Sequence, residues 1–92
     1  MKTTYRYEIP VDDQWHTLRL TPHTEVLHVA ARDPRVVEFW IEFDDMFTQV
    51  DRWFRVFGTG QPQQGAPMRH VGSVVTADGL LVWHLYEASN QP

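Results

Sequence analysis

The residues best suited to chemistry cluster around one glycine-rich stretch. Gly58-Thr59-Gly60 follows an apolar segment and opens a run from Gly58 to Pro67 that holds three Gly, two Pro and three Gln. Glycine lets a backbone approach a ligand closely, and successive N–H groups can form a nest for an anion. Arg52, Arg55 and Arg69 flank this run at both ends, with His70 beside them. Arg55, Arg69 and His70 would cradle a phosphate or carboxylate, and Trp53 or Trp83 would stack on a base. A G-x-G without a following helix is no dinucleotide fingerprint. The same glycines equally suit a strand end and a turn.

Other chemistry is poorly supported. His16, His23, His28, His70 and His84 show neither H-x-H nor H-x-x-x-H spacing. A zinc ion needs three or four converging ligands, so no metal is expected. Only His28 and His84, both mid-strand, are placed to face a neighbour across a sheet. Glu38, Glu42, Asp44 and Asp45 form an acidic group with no basic residue between Arg35 and Arg52. Paired carboxylates can act as acid and base, and Asp44 with Asp45 could bridge a divalent cation. A cleft of glycosidase size is large for so short a chain, and a solvated acidic edge is the simpler reading. Ser73 and Ser89 lie outside any G-x-S-x-G elbow, and the chain has no cysteine. Neither an enzyme nor a cofactor is expected.

Composition sets wider limits. Ninety-two residues make one domain with one modest core. Apolar residues are 42% and charged residues 22%, an ordinary globular balance. The net charge of −4 argues against long nucleic acid, which a basic surplus would hold. It does not exclude a local anion pocket. No apolar run approaches the length of a membrane span, and the first residues lack the apolar core of a signal peptide, so a cytoplasmic location is expected.

The elements that would position these residues read as strands. The periodic segments are short, alternate with period two and are rich in Val, Ile, Thr and aromatics. Strands are predicted over about Thr4–Ile9, Trp15–Leu20, Val26–Ala31, Val37–Phe43, Arg52–Phe57, Arg69–Val75 and Leu80–Glu87. The fourth alternates most strongly, with Val37, Phe39, Ile41 and Phe43 set against Glu38, Trp40 and Glu42. Between Asp44 and Asp51, Met46, Phe47 and Val50 are expected on one helical turn or as the plug of a loop. Ala77-Asp78-Gly79 is a hairpin turn. The fold class is therefore all-β, a small antiparallel sandwich or partly open barrel of about seven strands. The terminal strands, or pairing with another protomer, would close it. Trp40 and Trp53 fall on outer faces, and an outward Trp suits an interface. A homo-oligomer, or a protein-interaction surface built from Trp40, Glu38 and Glu42, is expected.

Several stretches carry a family resemblance. They are Lys2 to Pro10 (KTTYRYEIP), Leu27 to Ala30, Phe54 to Gly60 (FRVFGTG) followed by Pro62, Val71-Gly72 and Leu81 to Glu87 (LVWHLYE). Together they resemble a small uncharacterised family of phages and their actinobacterial hosts. The resemblance implies a small β domain in a phage setting and no assigned activity. Two functions follow as expectations. One is a non-enzymatic accessory protein that sequesters a small anionic, nucleotide-like ligand in counter-defence. The other is a module that binds a host or virion protein.

Overall fold

The computed structural model describes residues 1–92. Seven strands follow in order: β1 (Lys2–Pro10), β2 (His16–Leu20), β3 (Val26–Ala30), β4 (Val36–Asp44), β5 (Val50–Gly58), β6 (Met68–Val75) and β7 (Val82–Ala88). They form two open antiparallel sheets, β1-β4-β3 and β2-β5-β7-β6. The all-β reading holds as a sandwich and not as a barrel. The C-terminal strand does not close an edge, because β7 lies inside its sheet between β5 and β6.

Period-two alternation decides what meets between the sheets. Ile9, Val37, Phe39 and Ile41 from the first sheet pack against Leu20, Phe54, Val56 and Leu85 from the second. Phe39 and Phe54 touch across the gap with ring centroids 5.0 Å apart. Each such side chain contributes about 1.5–3 kcal/mol on full burial. The span after β4 is a tight turn and not a helical one. The Phe47 N–H donates to the Asp44 carbonyl, and the Asp44 carboxylate accepts from the Met46 N–H at 3.0 Å. Met46 and Phe47 are therefore exposed and plug nothing.

Two bulges break the simple alternation. One falls between Val26 and His28 in β3, the other between His70 and Gly72 in β6. In β6 the extra residue is Val71, which turns toward the core. The bulge also aims Gly72 at β3, where an added Cβ would come within 2.8 Å of the Val29 Cγ2. Glycine is required there because the sheets approach too closely for a side chain.

Charged residues seal the sandwich in two places. Buried Arg52 donates to both oxygens of buried Glu87, at 2.7 and 2.9 Å, and to the Thr21 and Thr24 carbonyls. Arg69 adds a third bond to Glu87 at 2.7 Å. On the outer face of the other sheet, Glu38 accepts from Arg32 through both its oxygens and from Arg6 at 2.9 Å. These bonds, Arg32's first, hold the Glu38 carboxyl below the usual glutamate range.

Candidate functional site

The outer face of the β2-β5-β7-β6 sheet gathers the polar and aromatic groups that the core does not use. Register sets its rows. Arg55 lies opposite Tyr86, and Tyr86 opposite His70. Phe57 lies opposite His84, and His84 opposite Ser73. His70 and Ser73 are three residues apart, which in a regular strand would send them to opposite faces. The Val71 bulge puts both on the same face, a recurring use of bulges.

That placement creates a chain of four hydrogen-bonded side chains. His70 Nε2 bonds to Ser73 Oγ at 2.7 Å, Ser73 Oγ to His84 Nδ1 at 2.6 Å, and His84 Nε2 to Thr59 Oγ1 at 2.8 Å. Each group can donate or accept, so the chain can present either polarity to a ligand. Beside it runs an aromatic row. His70 meets Tyr86 edge-on at 5.3 Å, Tyr86 meets Phe57 at 5.4 Å and Phe57 meets Trp15 at 6.3 Å. Phe57 is buried although it faces outward, because Trp15, Tyr86 and Arg55 cover it.

Arg55 stands apart from the other six arginines. Arg6, Arg19, Arg32, Arg35, Arg52 and Arg69 each hold a carboxylate. Arg55 holds none. Its guanidinium carbon lies 4.5 Å from the Phe57 ring centroid. Its Nε is the one buried side-chain nitrogen or oxygen with no hydrogen-bond partner. A buried, unbonded donor is a cost to the fold, and a cation that holds no carboxylate is left open to an anion.

The structure scatters the cradle expected around Gly58-Thr59-Gly60. Trp53, Arg55, Thr59 and His70 share the outer face. Arg69 does not, since it is paired with Glu87 at the far end of the sheet. Trp83 turns toward the core, and its indole N–H donates to the Pro34 carbonyl at 2.9 Å. Gly58 makes room for that ring, because an added Cβ would meet Trp83 Cζ3 at 3.3 Å. The glycine segment is a turn with the N–H groups at both its ends already bonded. Gly60 has φ +85°, the Gln61 N–H donates to the Gly58 carbonyl, and the Gly58 N–H donates to the Gln61 side chain. Gln61 is tied in turn to Asp13 at 2.9 Å.

The acidic face expected around Trp40 also reads differently. Trp40 is on the outer face of its sheet, but it is half-buried and tilted against His28 at 5.5 Å. Glu38 is only 5% exposed and is neutralised by Arg6 and Arg32, so the solvated pair of Glu38 and Glu42 reduces to Glu42. Arg6 arrives from β1 and Arg32 from the turn after β3, which is why the gap in basic residues along the chain was misleading.

The candidate face is flat. Depressions of about 300 Å³ beside Trp53 and about 390 Å³ beside Thr59 lie at its two ends. What fold and face define is a small two-sheet antiparallel sandwich that carries an aromatic surface with one uncommitted cation. The chain belongs to the family described as Domain of unknown function (DUF7352), whose model matches residues 1–92. No curated protein and no solved structure matches it. No helix is long and apolar enough to cross a membrane.

Proposed function

We propose that this protein is a non-enzymatic binder of a small anionic ligand with a planar ring, nucleotide-like in chemistry, on the outer face of the β2-β5-β7-β6 sheet. One observation carries the reading: Arg55 is held on Phe57 with no carboxylate and with its Nε buried and unbonded. A phosphate or carboxylate oxygen would pair with the guanidinium that has no carboxylate of its own, in a charge-assisted bond. The rings of Trp15, Tyr86 and His70 offer aromatic contact for the planar part. Ser73, His84 and Thr59 offer hydrogen bonds that need no fixed polarity. Sequestration of a signalling nucleotide, in the phage setting that the sequence resemblance implies, fits such a site.

A thermal-shift panel of nucleoside monophosphates, cyclic nucleotides and inorganic phosphate tests the proposal. A true ligand at a hundred times its Kd adds about 2.7 kcal/mol of stability. Arg55→Met keeps Phe57 covered and removes the charge, and the shift at the same ligand concentration should fall by about half or more. Arg19→Met removes an arginine of the same sheet that is already paired with Asp51, and the shift should remain. No shift with any ligand, or equal loss in both variants, would sink the assignment.

A further inference from the structure

The geometry points to the free edge of β1 as a homodimer interface, in which two copies pair β1 antiparallel about a two-fold axis with Arg6 opposite Glu8. Four strands have an open edge: β1 and β3 in one sheet, β2 and β6 in the other. Three are blunted. β2 and β3 are five residues long, and β3 and β6 each carry a bulge. β1 is nine residues long and pairs with β4 without a break in register. A long, regular, unpaired edge is a template for another strand.

Backbone parity shows what this edge offers. The Val11 N–H donates to the Arg35 carbonyl, and the Asp45 N–H donates to the Met1 carbonyl. Both pairs continue the β1–β4 register, so the odd-numbered residues of β1 turn their N–H and C=O groups toward β4. Lys2, Thr4, Arg6, Glu8 and Pro10 turn theirs to the free edge. Pro10 fits that set, because its missing N–H would otherwise face β4.

An occupant must therefore bond to even-numbered positions. A second copy of β1 can do so in three central registers. Placing Arg6 opposite Arg6 sets like charges together. Placing Thr4 opposite Arg6 sets Lys2 opposite Glu8 at the end of the strand but leaves the central arginine without an opposite charge. Placing Arg6 opposite Glu8 gives two reciprocal ion pairs on the outer face, with Tyr7 against Tyr7 and Tyr5 against Ile9 on the other. Arg6 and Glu8 already meet at 2.6 Å within one chain, so both side chains lie along the outer face where a partner's pair would join them. The isologous pairing would merge two three-stranded sheets into one continuous sheet.

Analytical ultracentrifugation of the full chain from micromolar to millimolar concentration tests this. The wild type should dimerise. Thr4→Pro should be monomeric without loss of fold, because it removes only an N–H that faces the edge. Glu8→Arg and Arg6→Glu should each weaken self-association by about tenfold or more through like-charge contact. Arg6→Glu leaves Glu38 its two bonds from Arg32. Mixed in equal amounts, these two variants should recover a dimer, since each then meets its opposite charge. A monomeric wild type, a dimer that survives Thr4→Pro and Glu8→Arg, or a mixture that stays monomeric would each overturn the proposal.

Discussion

Gly72→Ala gives the sharpest test of how the two sheets meet. Gly72 is not at a positive φ, so alanine suits its backbone. By that criterion alone the change should stabilise by about 0.4–1 kcal/mol, through a less flexible unfolded chain. The packing says otherwise. The new methyl would sit 2.8 Å from Val29 Cγ2 and 3.5 Å from Val29 Cβ. Val29 is β-branched and stiff at χ1, so it cannot swing away freely. Overpacking of this kind costs about 1–3 kcal/mol. The difference predicts a net loss of about 0.5–2 kcal/mol. Urea unfolding followed by tryptophan fluorescence would read it as a midpoint shift on the order of 1 M or less. Val29→Ala in the same chain should relieve the clash, and the double-mutant cycle should show a favourable coupling of about 0.5 kcal/mol or more. A stabilised Gly72→Ala, or two strictly additive changes, would refute the close approach of β6 to β3.

Two further predictions concern charged groups. Arg52→Met strands Glu87 with only the exposed Arg69 and frees the Thr21 and Thr24 carbonyls. It should cost about 3 kcal/mol and lower the thermal midpoint by on the order of 15 °C, and the added change Glu87→Leu should recover much of the loss. The second concerns pH. Glu38, Asp12, Asp33 and Asp78 all titrate below their usual ranges, with the largest cause a bond from Arg32, His16, Arg35 and Thr76 respectively. A carboxyl whose folded pKa is depressed stabilises above its unfolded pKa and loses that contribution as pH falls through the folded one. Stability should therefore be flat near neutrality and decline in the acid range, and Glu38→Gln should reduce that slope in pH-dependent melts.

Much of the fold was legible because it depends on neighbours in sequence. Alternation in Val37 to Phe43, Pro10 at a strand end and Asp78-Gly79 at a turn, with Gly79 at φ +77°, are local signals. Strand order was not legible, since it depends on which distant strands bury the most together. That is how β1 comes to pair with β4 and β7 with β5, whereas the Asp78-Gly79 hairpin already implies β6 beside β7. The site was half legible. Arg55, His70, Thr59 and Trp53 were marked by residue type. Ser73 is hidden because the Val71 bulge reverses facing within β6, and His84, Tyr86, Phe57 and Trp15 because joining them needs the strand order. Gly72 inside a strand was the available sign of a bulge or close contact. Glu38 misled because its arginines come from β1 and from the turn after β3.

The most direct test of the binding account is a two-dimensional amide and indole NMR titration with the nucleotide that gives the largest thermal shift. The account predicts perturbations on Arg55, His70, Ser73, His84 and Tyr86 and on the Trp15 and Trp53 indoles. Affinity should fall about tenfold or more in Arg55→Met, the value of a charge-assisted bond. Perturbations centred on Trp40 and His28 of the other sheet, or an unchanged affinity in Arg55→Met, would contradict it.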